Sequence, residues 1–299
     1  MKITISGASG LIGRRLLKIL STEGHSIEVL SRHAGTNLPG GVKLSVWDPM
    51  KSEPPAESIR DSDAVIHLAG EAIAQRWTAE AKRLIRESRI VGTRNLVSAL
   101  KKLAKPPQVL VCASAIGYYG SRGDEVLTES SAPGTGFLPE LCQAWEREAG
   151  AAESFGVRVV PIRTGVVLDA RGGALQKMLP PFKMGVGGKV AGGRQWMSWI
   201  HIEDLAGIYR YALANPLRGA INGTSPNPAT NADFTTELGR ALKRPTIFPV
   251  PGFALRVMFG EMSEVVLGSQ RVLPKRTEEA GFRFRFPQLG AALADVLRA

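Results

Sequence analysis

The chain has 299 residues, 44% hydrophobic and 22% charged, close to globular averages of about 45–50% and 25%, which excludes a disordered chain and a small scaffold that needs staples. The formal net charge is +11, with the positive residues scattered rather than gathered in a tail. Cys112 and Cys142 are too few for a disulfide framework, and the longest uncharged stretch, 106–121, falls short of the roughly 18–20 apolar residues of a membrane span.

Residues 2–6 form a β-rich run. The apolar start is broken by Ser6, Gly7, Ser9 and Gly10 and then by Arg14-Arg15, so no signal-peptide core forms. A cytoplasmic protein is expected, or an organelle-matrix one if a transit segment has been removed, with reduced thiols. Residues 10–23 carry Leu11, Ile12, Leu16, Leu17 and Leu20 at helical spacing. Strands follow at 26–30, 42–47 and 63–68. A long helix over 78–103 ends before Pro106-Pro107. Residues 108–113 predict a buried strand, 138–155 a helix and 157–162 a further strand. Repeated βα units imply parallel strands covered by helices, hence an α/β fold with a Rossmann-type doubly wound sheet.

After residue 165 the pattern loosens. Gly172-Gly173, Gly185, Gly187-Gly188 and Gly192-Gly193 mark loops. Helices return at 202–214, 231–242 and 253–259, and after Pro287. The expected organisation is a dinucleotide-binding domain over 1–165, a substrate lobe over 166–248 that can return strands to the sheet, and a small helical extension over 249–299. The densest basic region is 158–200, with seven cations against Asp169. A solvated surface explains it, as does the wall of a pocket for an anionic small molecule. No nucleic-acid motif accompanies it, so neither nucleic acid nor a membrane is expected as a partner.

Gly7-Ala8-Ser9-Gly10-Leu11-Ile12-Gly13 follows the first strand and opens the first helix. One glycine permits the tight turn, one admits a pyrophosphate to the backbone, and one lets helix pack on strand. The free N–H groups at the helix start then hold phosphate. The spacing is G-x-x-G-x-x-G, and its place at the first βα junction gives it weight. Roughly twenty residues on, an acid would accept from the adenosine ribose of NAD. Ser31-Arg32 stands there instead, and an arginine pairs with a 2′-phosphate. The predicted cofactor is therefore NADP(H).

These glycines, the run Asp63-Ala64-Val65-Ile66-His67-Leu68-Ala69-Gly70, and Gly92-Thr93-Arg94-Asn95-Leu96 resemble the extended short-chain dehydrogenase/reductase superfamily. The resemblance is to its atypical epimerase family branch, whose members end in a small domain of unknown function. It extends over Ser114–Gly120, Arg163–Leu168, Trp199–Leu205, Gly268–Pro274 and Ala280–Phe282. It implies that Gly7, Ser9, Gly10, Leu11, Ile12, Gly13, Ser31 and Arg32 hold the adenosine side of the cofactor. Leu68, Ala69 and Gly70 would line it, and Arg89 would face it where many relatives have asparagine. Ser114 would lie beside nicotinamide and substrate, and Val167 would approach the nicotinamide. Gly92 and Thr93 are expected to pack.

The superfamily's proton chemistry uses Tyr-x-x-x-Lys, in which the lysine lowers the tyrosine pKa. None of the four tyrosines is followed by such a lysine. Counting back from Trp145-Glu146 places Leu138 and Cys142 at the two positions. No catalytic acid or base is assigned; Tyr118 and Tyr119 are the nearest candidates, and packing explains them as well. No His/Cys spacing suits a metal. His67 is expected to be a satisfied core histidine, and His201 to begin a helix with Asp204 in its first turn. Trp196, Trp199 and Phe182 either cover the substrate cleft or pack in the core. Two functions stay open: an NADP(H)-dependent oxidoreductase or epimerase-like enzyme on a small molecule, an anionic one if the basic region walls its pocket, and a non-catalytic NADP(H)-binding regulator or assembly factor.

Overall fold

The computed structural model describes residues 1–35 and 38–298. Its first half alternates strand and helix: β1 (Lys2–Ser6), α1 (Leu11–Thr22), β2 (Ser26–Ser31), β3 (Lys43–Val46), α2 (Ala56–Ile59), β4 (Ala64–His67), α3 (Ala79–Lys101), β5 (Val109–Ala115), β6 (Val126–Leu127), α4 (Phe137–Gly150) and β7 (Arg158–Thr164). The central strands read as continuous apolar runs because both faces are covered: Ile3, Ile5, Val65, Ile66, Leu110 and Val111 expose nothing. Thr78 starts α3 by accepting from the Ala81 N–H at 3.1 Å, satisfying a donor the helix leaves unpaired.

The second half contributes β8 (Val166–Leu168), α5 (Gly173–Lys183), β9 (Trp196–Met197), β10 (Trp199–His201), α6 (Ile202–Ala214), β11 (Ile221–Gly223), β12 (Ala229–Thr230) and α7 (Asn231–Leu242). The tail adds α8 (Gly252–Phe259), α9 (Ser263–Leu267), β13 (Arg271–Val272), α10 (Lys275–Glu279) and α11 (Leu289–Val296). The main sheet has seven strands in the order β11-β7-β5-β4-β1-β2-β3, all neighbours parallel. Strand order runs outward in both directions from the β1–β4 pair. In such a sheet the crevice beyond the carboxyl ends at that switch point is where ligands bind.

Two expectations change. Gly172-Gly173 is not merely a loop: Gly172 caps α5, and Pro180 and Pro181 sit inside that helix. The helix expected over 138–155 ends as α4 at Gly150 and tightens into a 3-10 segment, Ala151–Phe155, a common way for a helix to finish. The tail is bound to the rest through named contacts. Asp204 accepts from the Arg285 and Phe286 N–H groups at 2.7 and 2.9 Å, and Gln270 donates to the Ile116 carbonyl at 2.8 Å. Among the described residues no helix is long and apolar enough to cross a membrane.

Candidate functional site at the switch point

Gly7 leaves β1 with φ +72°, and a Cβ there would stand 2.7 Å from the Leu68 carbonyl carbon. Only glycine fits this position, since the left-handed backbone and the close approach both exclude a side chain. A Cβ on Gly13 would meet the Ala8 Cα at 2.5 Å, so α1 lies directly on the turn. Gly10 caps α1 with no side-chain hydrogen bond, and the first turn holds no acid. The helix thus presents uncapped N–H groups and its positive end to the crevice, which suits a phosphate.

Two clefts open on this turn and share Gly7, Gly10 and Leu68. The first, about 360 Å³, runs from Leu11, Ile12 and Gly13 to Val167. The second, about 200 Å³, is walled by Ser9, Ser31, Arg32, Ala69 and Gly70. Twelve of the residues expected at the cofactor therefore meet on two adjoining surfaces. Arg89 sits behind Gly70, its guanidinium carbon 3.0 Å from where a Gly70 Cβ would be. It is only 9% exposed, donates to the Ile85 carbonyl at 3.1 Å and lies 5.1 Å from the centroid of the Trp145 ring. Burial pulls its pKa down to about 10. Ser114 is on neither cleft wall: its Oγ donates to Glu146 Oε1 at 2.6 Å.

That bond belongs to a directed chain. Arg163 donates through Nε and Nη2 to the two oxygens of Glu146, at 2.9 and 2.8 Å. It donates through Nη1 to Tyr119 Oη at 3.1 Å, and Tyr119 in turn donates to Asn222 Oδ1 at 2.7 Å. A guanidinium only donates and a carboxylate only accepts, so the direction is fixed. Tyr119 exposes nothing, and burial, opposed by Arg163, pushes its pKa up to about 12. Its hydroxyl is taken up inside the protein, donating to Asn222 and accepting from Arg163, and it lines neither cleft. Tyr118 lies flat under Arg163, whose guanidinium carbon is 3.4 Å from the ring centroid. Leu138 and Cys142 both face Gly117 at the end of β5, and burial pushes the Cys142 thiol up to about 12. Neither transfers a proton near neutral pH.

His67 is the satisfied core histidine expected. Ser6 Oγ and Thr93 Oγ1 stand 2.6 and 3.1 Å from its two nitrogens, and burial lowers its pKa to about 4. His201 caps α6 by accepting from the Glu203 N–H. Trp199 and Phe182 pack in the core, while Trp196 donates to Asp124 under the Arg271 guanidinium. Sequence reasoning missed Glu146 and the wall residues Gly165, Gly173, Trp47 and Ser88. Glu146 had one signal: it lies one helical turn after Cys142, on the same face. Among the described residues no cluster of His, Cys, Asp and Glu suits a metal ion.

An open parallel sheet with a glycine turn at its switch point defines a Rossmann-type nucleotide-binding protein. The NAD dependent epimerase/dehydratase family profile matches residues 3–224, and a domain of unknown function, DUF1731, matches 250–296. An epimerase family protein of Mycobacterium bovis is 42% identical over 294 residues, covering 97% of this chain and 96% of that protein. A chloroplastic SDR39U1 homolog of Arabidopsis thaliana is 40% identical, over 100% of this chain and 87% of its own. The crystal structure of human epimerase family protein SDR39U1 (isoform 2) with NADPH superposes with a TM-score of 0.89 at 35% identity, covering 100% of this chain and 99% of that one. The chain belongs to the NAD dependent epimerase/dehydratase family.

Proposed function

We propose that the chain binds NADP(H) along the two clefts and serves as a cytoplasmic oxidoreductase or epimerase-like enzyme on a small molecule. One observation carries this reading: an uncapped glycine turn at the switch point, with Arg32 and no carboxylate at the cleft end of β2. The uncapped α1 amides hold the pyrophosphate, and Arg32 takes the 2′-phosphate that NADH lacks. Arg89 reaches the cofactor past Gly70; it is already desolvated, and among the described residues it forms no ion pair, Glu71 acting on it only as a neighbouring charge. Leu68, Ile12 and Val167 supply apolar walls that exclude water. The bound nicotinamide supplies hydride transfer at its C4. Ser114 lies on the substrate side, with its hydroxyl proton directed at Glu146. The human relative's complex with NADPH supports the choice of cofactor.

The test is calorimetric titration of wild type and Arg32→Ala with NADPH and NADH. Losing a charge-assisted bond weakens NADPH by about 10- to 150-fold and leaves NADH unchanged; equal affinities in the two proteins remove Arg32 from the site. A second reading, a non-catalytic NADP(H)-responsive regulator or assembly factor, is favoured by Leu138 and Cys142 in place of the proton-transfer pair and by the locked Tyr119. NADPH consumption across a carbonyl panel, together with product analysis across a nucleotide-sugar panel, separates the two. Tight cofactor binding with no turnover on any member favours the regulator.

A further inference from the structure

Seven of the eleven large hydrophobic side chains exposed among the described residues fall in two segments, 184–190 and 247–258. The segments are one surface. Gly188 bridges Ile247, Val190 bridges Val250, and the Ala191 and Val250 N–H groups donate to the Val250 and Lys189 carbonyls at 2.8 and 2.9 Å. Met184 and Ile247 are 70% and 73% exposed. α8 continues the surface. A helix on a globular surface turns its apolar stripe inward, but α8 buries only Leu255. Phe253 and Val257, four residues apart on one face, are 69% and 75% exposed, and Met258 beside them 63%.

The charges within these segments are of one sign, and the acids that follow α8 are Glu261, which pairs with Lys82, and Glu264. Residues 183–194 and 243–258 contain Lys183, Lys189, Arg194, Lys243, Arg244 and Arg256 and no acid. All six are exposed, and none belongs to the ion pairs formed among the described residues. Apolar tips set among unpaired cations complement an anionic lipid surface, where rings and thioethers enter the boundary and basic side chains meet headgroups. A second copy is a poor occupant, because a two-fold contact is self-complementary and would place these cations against themselves.

We propose that this face, α8 with residues 184–190 and 243–250, rests on an anionic membrane surface. The contact lies on the bilayer rather than spanning it, and it revises the expectation, drawn from the absence of a span, that no membrane is a partner. The face is joined to the site: Phe259 and Met262, which follow it, share a cluster with Trp77 and Leu138. Docking therefore bears on the cluster that holds Leu138.

The test is flotation of the full-length protein with vesicles of phosphatidylcholine alone and of phosphatidylcholine doped with phosphatidylglycerol, at low and high salt. Wild type floats with the anionic vesicles and not with the neutral ones, and less at high salt. Phe253→Ser/Val257→Ser and Lys243→Glu/Arg244→Glu each lower the bound fraction about tenfold. Both keep the wild-type melting temperature and NADPH titration, which separates this outcome from misfolding and from any failure of the cofactor reading. Equal flotation with neutral vesicles, or flotation indifferent to both double variants, overturns the proposal. No flotation at all also overturns it. Sedimentation then assigns the face to a second copy if a dimer is lost in Phe253→Ser, or to an acidic protein partner if only monomer is seen.

Discussion

Replacing Glu146 by alanine removes the acceptor on which three groups converge. The Arg163–Glu146 pair has side-chain exposures of 5% and 13% and two hydrogen bonds, at 2.8 and 2.9 Å. After the change Arg163 keeps one side-chain hydrogen bond, to Tyr119 Oη at 3.1 Å, and its stacking on Tyr118, and Ser114 loses its 2.6 Å acceptor. A buried charge stripped of its partner costs about 3–5 kcal/mol. At roughly 2 °C per kcal/mol for a chain of this size, the melting temperature falls by about 6–10 °C. Urea denaturation should show a lower midpoint at an unchanged slope. The double variant Glu146→Leu/Arg163→Met removes both charges and should lose less than Glu146→Ala alone. A single variant within about 1 kcal/mol of wild type, or a double variant as damaged as the single, refutes the view that desolvated charge governs this contact.

Gly7→Ala must accept φ +72° and a Cβ 2.7 Å from the Leu68 carbonyl carbon; it should cost at least about 1–2 kcal/mol and abolish NADPH binding in calorimetry. Tyr119→Phe should cost about 1–2 kcal/mol by chemical denaturation, from the hydroxyl's two lost bonds, and leave the NADPH titration unchanged; a specific loss of turnover would restore Tyr119 as a proton donor. Cys112 and Cys142, 1% and 2% exposed, should be silent to a thiol reagent in native protein and both react in urea. The His67 pKa falls by burial from 6.5 to about 4 on folding, so the unfolded chain binds the proton more tightly. Its contribution is full above pH 6.5 and is lost as pH falls towards 4; relative to His67→Gln, wild type should lose about 2 kcal/mol between pH 7 and pH 5 in urea titrations.

The parts of the site made by backbone were legible in the sequence, because backbone demands leave glycine as their mark. Gly7 and Gly13 announce a turn and a close helix contact, and strands buried on both faces announce themselves as unbroken apolar runs. His67 could be placed for the same reason, as one polar residue in a run that must be buried. What could not be read was pairing across the fold. Arg163 follows the apolar run Val159–Ile162 within β7 and is buried with it, and that alone required a partner, but nothing in the sequence names a glutamate on α4 rather than one elsewhere. α5 escaped notice because Gly172-Gly173 reads locally as a loop, whereas Gly172 supplies the cap and Pro180 and Pro181 fall near the helix's end. The outward face of α8 looks ordinary in sequence, since Phe253, Leu255, Val257 and Met258 do not tell which of them the rest of the chain will cover.

The two halves of the site rest on different elements. The cleft walls come from the β1–α1 turn, the end of β4 and the segment after β7, and the work there is done largely by amides and glycines. Proton transfer in the superfamily belongs to a tyrosine and a lysine on the helix that is α4 here, which carries Leu138 and Cys142. Substitutions on α4 change no backbone in the β1–α1 turn, so a chain can lose the second half and keep the first intact. The position of Ser114 follows from this. Its proton is held by a carboxylate that Arg163 fixes from the other side, so turning it towards a substrate carbonyl means giving up a charge-assisted bond of about 1.5–3 kcal/mol. In the proposed placement of Ser114 beside the substrate, a group that donates to it meets no such cost, which would make hydroxyl or amide donors better matched there than a carbonyl awaiting a proton.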